Sequence, residues 1–147
     1  MPERPQDPTP EEVAADVATM AGLLSRRLRS TAPGTGLTPS QRSVLVRLAD
    51  DGPATTAALA RAEHVRPQSM RLTLGALEEH GLVRRSPDPA DGRQSVVSVT
   101  DHGRTVLAGV RAAKQTWLSK VIAEELDAEE RRTLAEAARL LRRLTEK

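Results

Sequence analysis

The stretch LEEHGLVRRSPDPADGRQSVVSVTDHG, Leu77–Gly103, changes character three times. Its first residues close a helical pattern, and Gly81 stands where a glycine ends a helix by turning left-handed. Leu82-Val83-Arg84-Arg85-Ser86 and Gln94-Ser95-Val96-Val97-Ser98-Val99 have the β-branched, partly alternating composition of strands. Between them, Pro87-Asp88-Pro89-Ala90-Asp91-Gly92-Arg93 is a run of turn formers, so the two strands predict a short ribbon with a turn at its tip. Thr100-Asp101-His102-Gly103 then caps a further helix.

Upstream of this run the pattern is helical. Val13, Val17, Met20, Leu24 and Leu28 recur at the spacing of one helix face, predicting a helix from Glu11 to about Arg29 with Thr9 as its cap. TAPGTG at 31–36 breaks it. Thr38-Pro39-Ser40-Gln41 combines an N-cap, a first-position proline and a capping-box glutamine, and opens a helix to about Ala49 that buries Val44, Leu45 and Leu48. After Asp50-Asp51-Gly52-Pro53, Thr55 or Thr56 caps a short third helix with Ala58, Leu59 and Ala62 inward. A brief connection leads to Pro67 and a fourth helix to about His80, with Met70, Leu74 and Leu77 inward. Two helices joined by a tight turn, the second opening on polar residues, form a helix-turn-helix layout, and a ribbon directly after it makes a wing.

Downstream, a long fifth helix is expected from about Asp101 to Glu125, with Val106, Leu107, Val110, Ala113, Trp117 and Val121 near one face. Asp127 or Ala128 opens a sixth, whose Leu134, Ala137, Ala138, Leu141 and Leu144 repeat every three or four residues. The expected fold is therefore mostly α with a small β-wing: a winged helix-turn-helix with six helices. Its lobe spans 37–103, flanked by helical segments 11–36 and 104–147, after a proline-rich, flexible tail at 1–10. The apolar stripes of the terminal helices call for a partner, either each other within one chain or a second copy. A second copy would place Val13, Val17, Met20, Leu24, Leu134, Leu141 and Leu144 in a homodimer interface.

Bulk composition narrows the function. At 147 residues the chain suits one domain, and without cysteine it has no disulfide, thiol nucleophile or thiol redox sensor. No stretch reaches the roughly 18 apolar residues of a membrane span, and the N-terminus lacks a signal-peptide core, which predicts a cytoplasmic protein with no membrane partner. The net charge is only +2, but arginines 61, 66, 71, 84 and 85 outnumber glutamates 63, 78 and 79, and Arg93 follows. With Trp117 as the sole aromatic, base-stacking single-strand readers are disfavoured, whereas duplex DNA needs no stacking platform. His64, His80 and His102 lack metal-ligand spacing, and no phosphate loop, nucleophile elbow or paired carboxylates frame an active site. No enzyme, metal or cofactor is expected.

The helix order, together with Leu77, Gly81, Leu82, Arg85, Asp88, Asp91, Arg93, Val97, Thr100 and Gly103, resembles the MarR family of transcription regulators. The match covers nearly the whole chain from Glu11. It implies an obligate dimer, triangular in outline, that binds a palindromic duplex DNA site through the fourth helix and the wing. Gln68, Ser69 and Arg71 match the family's major-groove readers, Arg93 its wing arginine, and Asp91 that arginine's ion-pair partner. Thr55 and Thr56 match phosphate-contacting positions, and Arg66 and Arg84 add positive charge nearby. Arginine pairs with guanine and glutamine with adenine in the major groove, although Gln68 and Ser69 also suit ordinary helix capping. Leu72 departs from the pattern, either meeting a thymine methyl or joining the core, and Gly75 either permits close approach or merely weakens the helix. The resemblance implies a repressor relieved by a small-molecule effector, with Trp117 as the only aromatic wall for one. The alternative is a structural, weakly specific DNA-binding protein of the chromosome.

Overall fold

The computed structural model describes residues 7–31 and 34–147. Residues 1–6 of the expected tail, and Ala32 and Pro33 of the expected break, lie outside the described residues. Among the described residues, six helices and three strands follow in the order α1 (Pro10–Thr31), α2 (Pro39–Asp51), β1 (Ala54–Thr55), α3 (Thr56–Ala62), α4 (Pro67–Glu79), β2 (Val83–Pro87), β3 (Ser95–Val99), α5 (Asp101–Glu125) and α6 (Ala128–Thr145). They form two compact units: Pro33–Ala112, and Met1–Ala32 with Ala113–Lys147.

Local chemistry sets most boundaries. A helix leaves its first N–H groups without partners, and side-chain oxygens supply them here. Thr9 Oγ1 accepts the Glu12 N–H at 3.2 Å while Glu12 Oε2 accepts the Thr9 N–H at 2.9 Å. Thr38 with Gln41, and Asp127 with Glu130, form the same reciprocal box on α2 and α6. Gly81 follows α4 at φ +69°, a conformation open to glycine. His64 occupies the same left-handed region at φ +55° in the turn between α3 and α4.

The core of the 33–112 unit joins Val44, Leu45 and Leu48 of α2, Leu59 and Ala60 of α3, and Met70, Leu74 and Leu77 of α4 to Leu82, Val83, Val97, Val99 and Leu107. In α3 it is Ala60 that is buried beside Leu59; Ala58 and Ala62, expected inward, are half-buried. The seven-residue helix turns Ala60 toward the core. The sheet is antiparallel in the order β1-β3-β2, with Val83 opposite Val99, Arg85 opposite Val97 and Pro87 opposite Ser95. β1 was not expected. Ala54 and Thr55 pair with Val97 and Val96, a two-residue strand too short to leave a pattern.

Thr100 and Gly103 fix the first turn of α5 within this lobe. The Thr100 hydroxyl donates to the Gly81 carbonyl at 2.6 Å and accepts the Gly103 N–H at 3.1 Å, while the Thr100 N–H bonds the Leu82 carbonyl at 3.0 Å. A Cβ at Gly103 would stand 2.3 Å from the Leu82 carbonyl oxygen, so only glycine allows the approach. One ion-pair cluster ties α2 to the end of α3. Glu63 accepts from Arg47 Nε at 2.7 Å and from the Ser43 hydroxyl at 2.8 Å, and Arg47 also faces Asp51 at 3.6 Å. The Arg47 bond holds the Glu63 carboxyl below the ordinary carboxylate range, against the opposing effect of burial.

In the other unit, none of the described residues is buried. Val13, Met20, Leu23 and Leu24 of α1 and Leu134, Leu140, Leu141 and Leu144 of α6 are exposed, and Val17 is half-buried. Half-buried Trp117 carries the Arg27 guanidinium 5.6 Å from its ring centroid, a cation–π arrangement.

Candidate nucleic-acid interface

Helix α4 presents two opposite faces. Met70, Leu74 and Leu77 enter the core, which turns Gln68, Ser69, Arg71 and Leu72 outward, all exposed. Leu72 is therefore not a core residue; it is 73% exposed. Arg66 is the N-cap of α4 but makes no side-chain capping bond, and Pro67 follows it. The first backbone bond into the helix is from the Met70 N–H to the Arg66 carbonyl at 3.1 Å. This uncapped, positive end of the helix dipole, with exposed Arg66 and Arg71 beside it, suits an anion such as phosphate.

Two adjoining concave surfaces lie between here and the ribbon. Thr55, Thr56, Ala57, Pro67, Arg71, Arg85, Gln94 and Ser95 line one part. Arg85, Ser86, Pro87, Gly92, Arg93, Gln94 and Ser95 line the other, the two parts sharing Arg85, Gln94 and Ser95. Among the described residues their lining carries Arg71, Arg85 and Arg93 and no carboxylate. The groove thus gathers Thr55, Thr56, Arg71 and Arg93 among the residues singled out in the sequence. Arg84, exposed on β2, is not among the lining residues of either part.

The hydroxyl roles are specific. Thr55 Oγ1 caps α3 by accepting the Ala58 N–H at 3.2 Å, and Thr56 Oγ1 accepts from Arg85 Nη1 at 3.5 Å. Arg85 also pairs with Glu78 of α4, so one guanidinium ties the start of α3, the end of α4 and the ribbon together. Gln94 and Ser95 are groove residues that the sequence reading did not single out, and Arg85 was named there for its charge and for the family resemblance but not as a DNA contact. The signal for Arg85 was strand alternation: two residues after Val83, it is a charge on the core side of β2 and calls for partners.

The wing tip corrects one expectation. Among the described residues Asp91 makes no ion pair with the Arg93 guanidinium; its Oδ1 accepts the Arg93 backbone N–H at 3.1 Å. Asp88 Oδ1 likewise accepts the Ala90 N–H at 2.9 Å, and the Gln94 N–H bonds the Asp91 carbonyl at 3.0 Å. A carboxylate two residues before the amide it accepts from is an Asx-turn, so the two aspartates shape the backbone from which Arg93 projects.

A helix with an exposed polar crest, set against a second helix by a tight turn and followed by a ribbon bearing arginine, defines a winged helix-turn-helix DNA-binding protein. A model of the MarR family matches residues 37–95. The HTH-type transcriptional regulator MT0903.1 of Mycobacterium tuberculosis is 40% identical over 129 residues, covering 88% of this chain and 90% of that protein. The HTH-type transcriptional repressor NicR of Pseudomonas putida is 32% identical over 132 residues, covering 86% and 82%. A mutant of S. aureus MepR bound to an oligodeoxyribonucleotide has the same fold, with a TM-score of 0.66 at 18% identity over 90% of this chain and 97% of that one. The chain belongs to the MarR family and is a DNA-binding transcriptional regulator. Among the described residues no helix is long and apolar enough to cross a membrane, and no group of three His, Asp or Glu side chains is placed to hold a metal.

Proposed function

We propose that the protein is a cytoplasmic homodimeric repressor that binds a palindromic duplex site, with Gln68, Ser69 and Arg71 reading bases in the major groove and Arg93 reaching the minor groove or flanking phosphates. The observation that carries this reading is the groove between the outward crest of α4 and the wing, lined among the described residues by Arg71, Arg85 and Arg93 and by no carboxylate. In this reading the Thr55 and Thr56 segment and Arg66 make the sugar–phosphate contacts that fix register. The exposed leucines of α1 and α6 support a second copy as their cover, since a soluble chain seldom leaves such faces open. NicR, similar over most of its length, is a repressor by name, and repression is the sense adopted here. Relief by a small-molecule effector belongs to the same reading, with Trp117 as the aromatic surface available to it.

Selection from a random duplex pool tests the reading. It should enrich two inverted half-sites with centres about 34–36 Å apart, bound by two chains in sedimentation. Enrichment of no sequence would favour the weakly specific chromosomal protein instead.

A further inference from the structure

An exposed leucine is ordinary on a protein surface; the position of Leu72 is not. It is the most exposed large hydrophobic side chain among the described residues, at 73%. It stands on the side of α4 opposite Met70, Leu74 and Leu77, one turn beyond Gln68 and next to Arg71. The residues one turn further along are Gly75 and Ala76, too small to shield it. A Cβ at Gly75 would meet nothing within 4 Å, so no packing within the chain requires the glycine. The crest of α4 therefore combines an uncovered apolar side chain with a residue that weakens the helix. Insertion into a major groove accounts for both: the groove offers an apolar C5-methyl at each thymine, and a residue without Cβ lets the helix backbone approach the base edges.

We propose that Leu72 reads a thymine by packing on its C5-methyl group, beside the base pair that Gln68 contacts. The inference rests on the regulator reading above and assigns that site one determinant of sequence. Four helical residues rise about 6 Å, close to two base-pair steps, so the thymine lies one or two pairs from the one read by Gln68. A glutamine that pairs with adenine and a leucine that favours thymine together select A·T-containing half-sites.

The test uses the duplex that the unmodified protein selects from a random pool, with thymines replaced singly by deoxyuridine. That exchange removes the methyl and leaves every hydrogen-bonding group. At one thymine per half-site the dissociation constant should rise about fourfold, and about fifteenfold with both half-sites exchanged, as expected for losing one buried methyl-sized contact in each. Leu72→Ala should bind the thymine duplex more weakly and lose nothing further on exchange, while its thermal midpoint is kept, because the side chain is largely exposed. The deoxyuridine series on the parent protein needs no folded variant. Parent binding that ignores every thymine methyl, or a Leu72→Ala protein as sensitive to exchange as the parent, overturns this inference and leaves the regulator reading standing. A protein that enriches no sequence overturns both.

Discussion

Replacing Gly103 by alanine puts a methyl group where the lobe has no space. The added Cβ would lie 2.3 Å from the Leu82 carbonyl oxygen and 2.8 Å from Val99 Cγ1, so the first turn of α5 must retreat by about 1 Å to reach ordinary contact. That retreat strains the three Thr100 bonds, to Gly81, Gly103 and Leu82. Overpacking a filled site costs about 1–3 kcal/mol, and each weakened hydrogen bond up to about 1 kcal/mol. The better helix propensity of alanine returns about 1 kcal/mol. The net loss is about 2–3 kcal/mol, a fall in the urea midpoint of about 1–2 M by circular dichroism. Gly109 provides the control within the same helix: a Cβ there meets nothing within 4 Å, so Gly109→Ala should gain about 0.5–1 kcal/mol. Opposite signs for one substitution at two positions of α5 are the expected result. A Gly103→Ala protein as stable as the parent, or shifted the same way as Gly109→Ala, would refute the argument that this glycine exists to admit the Leu82 carbonyl.

At the wing, Asp91→Ala should weaken DNA binding by removing the acceptor of the Arg93 N–H, whereas Asp91→Asn keeps an acceptor, removes a negative charge and should bind at least as tightly as the parent at matched salt. An asparagine variant as weak as the alanine one would restore the ion-pair explanation. Arg71→Ala should cost roughly 1–3 kcal/mol at one base pair per half-site and relax preference there, while Arg93→Ala should reduce the slope of log affinity against log salt by about one. A uniform loss across all sequences would reassign Arg71 to phosphate. Because the Glu63 carboxyl is lowered in the folded chain, its contribution to stability is present above the unfolded value of about pH 4.3 and is lost as pH falls through the lower folded value. Glu63→Gln should remove that part of the acid dependence in denaturation curves; an unchanged pH profile would discount the Arg47 cluster.

Helix order and ribbon were legible because their punctuation is chemical: the Thr38–Gln41 and Asp127–Glu130 boxes, Pro39 and Pro67 at helix starts, and Gly81 after α4 leave marks in the sequence. β1 left none, because two residues have no periodicity and Thr55 reads equally well as a cap. In the site, the outward positions of Gln68, Ser69 and Arg71 followed from the inward period of Met70, Leu74 and Leu77, and the same period places Leu72 outward. The roles of Arg85 and Asp91 were less accessible. One depends on pairing across β2, α3 and α4, which has no fixed sequence spacing; the other is a bond from the Arg93 backbone N–H to the Asp91 carboxylate, whose two-residue spacing is that of any Asx-turn and does not by itself separate it from a pair with the Arg93 guanidinium.

The central claim, that the crest of α4 and the wing together read a particular duplex, reduces to a ratio of two affinities measured with the same protein at the same near-physiological salt. One duplex carries the selected palindrome and the other its scrambled sequence at equal length and composition. The account predicts that the palindrome binds at least about 10³-fold more tightly, within the range of sequence-specific regulators. Equal affinities, both falling steeply with salt, would mean that the groove arginines hold phosphate alone and would contradict it.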